Sequence, residues 1–211
     1  MAYLYTRPER MADGTIHLLG LAASIIATVL LILFAARTGS GLDVAAVSVY
    51  GGVAIFAFAA SAAYHMTPWS RARSWLQRVD HAAIYLMIAG TYTPLVVVLG
   101  SVFAYVVLGL IWTVAVLGAL GKLTQILQPG WASTFLYIAM GWASVVLIWP
   151  LVQTVPPLTL WLMLAGGLAY TIGAPINHWE DLRFNVAIWH GFVLAGYGLF
   201  LGAIVVALMA A

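Results

Sequence analysis

The spacing of ionisable residues limits the fold of this chain more than any other feature. Residues 18–36, 44–64, 82–121, 123–177 and 191–211 contain no Asp, Glu, Lys, Arg or His, and run for 19, 21, 40, 55 and 21 residues. A helix needs about 20 predominantly apolar residues to cross the hydrocarbon core of a bilayer. The first, second and fifth stretches each fit one crossing. The 40-residue stretch fits two, with the turn at Gly100-Ser101. The 55-residue stretch fits two more, with Pro156-Pro157 marking the turn and Gln128-Pro129-Gly130 trimming its start. The count predicts an all-α integral membrane protein: one seven-helix domain over 1–211, with helices over about 15–35, 45–66, 80–99, 102–121, 131–150, 158–177 and 186–208.

Composition agrees. The chain is 64% hydrophobic and 7% charged, against roughly 25% charged in soluble domains, so the bilayer must act as its solvent. The runs lack the strict alternation of a membrane β-barrel. Arg7 and Arg10 precede the first run, and Phe34-Ala35-Ala36 resembles a cleavage site. The run nevertheless exceeds the roughly 7–15 residues of a signal-peptide core, so it reads as the first span. A net charge of +2 is too small for a nucleic-acid surface. With no cysteine, disulfides and thiolate metal sites are excluded. The partners expected are membrane lipids, with no nucleic acid.

Seven crossings put the N-terminus and the loops after helices 2, 4 and 6 on one side. That side holds Arg7, Arg10, Arg71, Arg73, Arg78, Lys122 and Arg183, while the other holds only Arg37. The positive-inside rule predicts a cytoplasmic N-terminus and an outside C-terminus, in the plasma (inner) membrane. Trp69, Trp75, Trp131, Trp149, Trp161 and Trp179 fall near predicted helix ends, as interfacial anchors do.

All five histidines lie toward the same side: His17, His65, His81, His178 and His190. Asp13, Asp80, Glu180 and Asp181 lie there too, and the opposite half has one carboxylate, Asp43. Mere interface decoration would make both ends polar, so the asymmetry points to a site at the cytoplasmic end. Ser61 and His65 are one helical turn apart and share a face, as do Asp13 and His17. Asp13 also reads as a cap for helix 1. In Thr91-Tyr92-Thr93-Pro94, the threonine hydroxyls are expected to satisfy carbonyls that the proline frees.

Several segments resemble the bacterial hemolysin III proteins: Ser61-Ala62-Ala63-Tyr64-His65, Arg78 to Pro94 (RVDHAAIYLMIAGTYTP) and Ala187 to Gly196 (AIWHGFVLAG), with Glu9 to His17, Gly141-Trp142 and Gly166 to Gly173 in support. That family groups with the progestin and adipoQ receptors, which include the adiponectin receptors, and more distantly with alkaline ceramidases. The resemblance implies a seven-helix bundle with zinc near the cytoplasmic side. The ligands would be the histidine of a Ser-xxx-His motif on helix 2 and both histidines of a His-xxx-His motif on helix 7, supported by an aspartate on helix 3. Carried onto this chain, the ligands are His65 and His190, Asp80 is the carboxylate, and Ser61 is its companion. The first histidine of the helix-7 pair falls on Val186, which cannot bind metal. Asp80, His17 and His178 are the candidates to replace it. With one of three histidines gone, the expectation is that zinc binds weakly or not at all, through His65, His190 and Asp80.

Three function classes stay open on this reading. The first is a regulator or sensor of membrane state with a polar, metal-type site. The second is a zinc-dependent lipid amide hydrolase of ceramidase type, with Asp80 and Ser61 as its catalytic groups. The third is a cytolytic pore-former, which lacks support from any continuous polar stripe through helices 4 to 7. Val186 moves weight from enzyme to non-enzyme.

Overall fold

The computed structural model describes residues 6–67 and 71–211. Its helices are α1 (Arg7–Thr38), α2 (Gly41–Met66), α3 (Arg73–Leu99), α4 (Val102–Leu123), α5 (Trp131–Trp142), α6 (Ile148–Thr154), α7 (Pro157–Asn177) and α8 (Asn185–Ala210). A short 3-10 segment, Ala143–Leu147, joins α5 to α6. Counting Trp131–Thr154 as one crossing, seven helical segments are long and apolar enough to span a bilayer. No strand occurs among the described residues.

Two helices start earlier than the apolar runs suggest. At α1 the Glu9 carboxylate accepts from both the backbone N–H (2.8 Å) and the hydroxyl (2.6 Å) of Thr6, and Pro8 suits a first helical turn. Asp13 therefore lies inside the helix and does not cap it. At α3 the basic segment from Arg73 is already helical. Arg73 donates to the carbonyls of Tyr64 (3.1 Å) and Thr67 (2.9 Å), and its guanidinium lies 4.6 Å from the Tyr64 ring centre. It thus satisfies carbonyls at the C-terminus of α2, where helices leave acceptors without partners. Asp80 consequently sits two turns inside α3, deeper than a helix-opening residue.

The fifth span is broken where a continuous helix was expected. Pro150 has no N–H to give to the carbonyl four residues back, and its ring crowds that turn; the tighter 3-10 turn lies just before it. Tyr92 of α3 compensates, its hydroxyl lying 2.9 Å from the carbonyls of both Met140 and Gly141. Pro94 inside α3 is accommodated differently from expectation. Thr91 and Thr93 donate to the carbonyls of Met87 and Ala89, not to Gly90, the carbonyl four residues before the proline. At the α3–α4 turn Gly100 takes a left-handed φ of 59°, and the Ser101 hydroxyl accepts from Ala104 N–H at 3.2 Å.

The helices pack in chain order from α1 to α4; α7 pairs with α8, and α8 returns to α1. α3 reaches the fifth span and α8 as well. Small residues permit the close approaches, as lipid-embedded helices require. A Cβ on Gly90 would collide with Val53 of α2, and one on Gly118 would lie 2.6 Å from the Tyr85 ring. Leu18, Ile26 and Leu30 of α1, Val106 and Leu117 of α4, and Phe135 of α5 are exposed and apolar, as a lipid-facing surface should be. Trp75, Trp131, Trp149, Trp161 and Trp179 are also exposed; Trp69 lies outside the described residues.

Candidate metal centre

Asp13 and His17 project from one face of α1, His65 from the last turn of α2, and His190 from the second turn of α8. Neighbour packing of α1 against both α2 and α8 brings them together. The Asp13 carboxylate is the hub. Its Oδ1 lies 2.6 Å from His190 Nδ1, and its Oδ2 lies 3.4 Å from His65 Nδ1 and 3.5 Å from His17 Nε2. The imidazole centres stand 4.3 Å (His17–His190), 4.6 Å (His65–His190) and 5.1 Å (His17–His65) apart. Asp13, His17 and His190 are buried, and His65 is half-buried. A second tie holds α1 to α8: Glu9 Oε1 accepts from Phe184 N–H at 3.2 Å, just ahead of α8. The residue that starts α1 therefore also sets the entry of the helix that carries His190.

These four residues could hold a metal ion. One ligand atom from each lies within 4.8 Å of all the others. Imidazole nitrogen and carboxylate oxygen are ordinary zinc donors. His17 Nε2 is buried and makes no hydrogen bond, which is costly for a polar atom unless something else engages it. The residues present therefore fit a divalent cation.

The assembled group differs from the set expected from sequence. Asp13 and His17 are in it with His65 and His190, whereas Asp80 is not. Asp80, buried on α3, and Ser61 on α2 stand on the wall of an adjoining cavity of about 450 Å³, which His65 and His190 also line. Val186 lines the same cavity as plain hydrocarbon. His178 stands apart from the four: its Nε2 is hydrogen-bonded to the Thr134 hydroxyl at 2.8 Å, and its ring stacks on Trp131 at 4.2 Å. The sequence signals for Asp13 are its four-residue spacing from His17, its place on the histidine-rich side and the Glu9 to His17 segment. The competing reading as a helix cap masked them.

Residues 5–201 match the family model described as "Haemolysin-III related". The chain belongs to the haemolysin III family. Among curated relatives of this haemolysin III protein, Hemolysin-3 of Bacillus cereus is 39% identical over 189 residues, covering 89% of this chain and 86% of that one. The Hemolysin-3 homolog of Bacillus subtilis (strain 168) is 32% identical over 194 residues, covering 92% and 91%. Together with its seven apolar spans, this makes the haemolysin III chain a multi-pass membrane protein.

Proposed function

We propose that this haemolysin III protein holds a zinc ion between Asp13, His17, His65 and His190, at the cytoplasmic end of a bundle in the plasma membrane. The ion would lock α1, α2 and α8 beside the largely apolar cavity, and the protein would act as a sensor or regulator of membrane state. The convergence of four protein donors carries this reading. Four protein donors fill a tetrahedral zinc shell, as in a structural site, whereas a catalytic zinc keeps one position for water. Charge supports it too. Asp13 and Asp80 are both buried, every ion pair of Asp13 is with a histidine, and a dication balances two carboxylates. Seven of the eight basic residues lie on the side of the cluster, which supports its placement in the cytoplasmic half.

One observation favours a second reading, a lipid amide hydrolase. Asp80 is buried on the cavity wall yet outside the donor group, so its carboxylate is left to orient water or take its proton, with Ser61 beside it. A bound zinc would supply polarisation of a carbonyl and acidification of water.

The deciding experiment uses full-length protein purified in mild detergent from zinc-containing medium. Zinc per chain is measured after exhaustive dialysis, and release of the acyl chain from a fluorescent lipid amide is followed alongside. One firmly held zinc without amide turnover supports the sensor. Turnover that Asp80→Asn abolishes while zinc stays bound supports the hydrolase. Dye leakage from liposomes at catalytic protein levels would instead favour the cytolytic reading. A wild-type protein that retains no zinc overturns the metal site.

A further inference from the structure

The cavity has a second polar corner that the metal site leaves unused, where the last turn of α4 meets the first turn of α5. Lys122 closes α4; it is only 3% exposed, yet it lines the cavity. Its ammonium donates to the Gln128 carbonyl at 3.1 Å and stands 5.7 Å from the Tyr137 ring centre. No ion pair between Lys122 and a carboxylate occurs among the described residues. An ammonium buried in a membrane protein is costly until it finds an anion or acceptors.

α5 reinforces the positive field. Its N-cap is Gly130, and no side chain caps its first turn. The open N–H groups and dipole of such a turn favour an anion. Gly130, Ser133 and Thr134 of that turn line the cavity. Ser133 adds an independent sign. It is 4% exposed, and its hydroxyl has no hydrogen-bond partner, a rare state for a buried polar group. The buried Tyr85 hydroxyl faces that of Ser133, and neither completes a hydrogen bond. Beyond this corner the cavity is walled by Met87, Leu95, Met163 and Phe200, which suit a hydrocarbon chain.

We infer that Lys122, Ser133 and the uncapped start of α5 form an anion subsite for the acidic headgroup, phosphate or carboxylate, of an amphiphile whose chain occupies the apolar part of the cavity. Lys122 supplies the charge and two ammonium hydrogens beyond the one given to Gln128. Ser133 and the first-turn N–H groups supply directional donors. The subsite stands on a different wall from the four-residue cluster and does not depend on a metal there.

The test uses full-length protein in phosphatidylcholine nanodiscs, titrated with hexadecyl phosphate, palmitate, hexadecanol and inorganic phosphate. Tryptophan fluorescence is the readout, since Trp142 and Trp189 line the cavity. At least one acidic amphiphile should bind about tenfold more tightly than hexadecanol, the gain expected from one charge-assisted hydrogen bond. Which acidic probe leads identifies the source: a phosphate-bearing lipid or a fatty carboxylate. Inorganic phosphate should compete with the leading probe. Lys122→Met should erase the preference and leave hexadecanol binding unchanged, while Lys122→Arg should keep it. Ser133→Ala removes a hydroxyl that has no partner, so the variant should fold normally; it should cut the preference severalfold and carries the test if Lys122→Met fails to fold. Chelator-treated protein should show the same preference, which separates this result from the fate of the metal site. Equal affinity for acidic and neutral probes in the wild type, or a preference that survives both Lys122→Met and Ser133→Ala, would overturn the inference.

Discussion

Replacing Asp13 by asparagine keeps the shape of the side chain and removes the charge around which three imidazoles gather. In metal-free protein the main loss is the contact to His190 at 2.6 Å. Exchanging a charge-assisted hydrogen bond for a neutral one costs about 1–1.5 kcal/mol. The two longer approaches, at 3.4 and 3.5 Å, add little. With zinc bound the loss is larger. A zinc site of this kind draws on roughly 10–16 kcal/mol in total, so an equal share for each of four donors is about 2.5–4 kcal/mol, or roughly a hundred- to a thousandfold in affinity. Competition against a zinc-binding dye in detergent measures that ratio directly. Val186→His then provides the converse. Position 186 is one turn ahead of His190 and lines the same cavity, so a histidine there should recover most of the affinity that Asp13→Asn removes. In the wild-type background, where four donors are already present, the same substitution should change affinity little. An Asp13→Asn protein that binds zinc as tightly as the wild type would refute the four-donor site. A double variant no tighter than Asp13→Asn would refute the placement of residue 186.

Other outcomes follow from separate parts of the structure. Reporter fusions at Gly41 and Ser74 should report opposite sides of the membrane, with Ser74 cytoplasmic; a cytoplasmic Gly41 would defeat the assigned orientation. Gly118→Ala places a methyl group 2.6 Å from the Tyr85 ring, so the unfolding midpoint in detergent should fall by the equivalent of about 1–3 kcal/mol; an unchanged midpoint would mean that α3 and α4 are not so closely apposed. Burial holds His178 below its ordinary value against the opposing pull of Glu180, so the folded protein binds fewer protons there than the unfolded chain. The stability that goes with a neutral, buried His178 should be intact above about pH 6.5 and be lost as pH falls through the lowered value. The wild type should therefore lose stability more steeply on acidification than His178→Asn, and parallel profiles would remove His178 as the cause.

What could be read from the sequence follows from the solvent. A bilayer cannot hydrate a backbone or a charge, so each uncharged run had to become helix, and run lengths alone yielded seven spans. The turn at Gly100-Ser101 was visible for the same local reason, because glycine tolerates the left-handed conformation that ends α3. His65, His190 and Asp80 could be singled out because ionisable groups are rare in such a chain, and Ser61 because it lies one helical turn before His65.

Other features lay beyond the uncharged runs. The early starts of α1 and α3 depend on Glu9 turning back to Thr6 and on Arg73 reaching the last carbonyls of α2. The break in the fifth span depends on the Tyr92 hydroxyl of another helix donating to the stray carbonyls of Met140 and Gly141. Above all, the partner of His190 is Asp13, 177 residues away in the chain. Periodicity places each side chain on a face of its own helix, but it does not state which helices are neighbours. That choice rests on packing between small-residue faces, and here it closed α8 onto α1 and put a carboxylate and a histidine from the start of the chain beside two histidines from elsewhere.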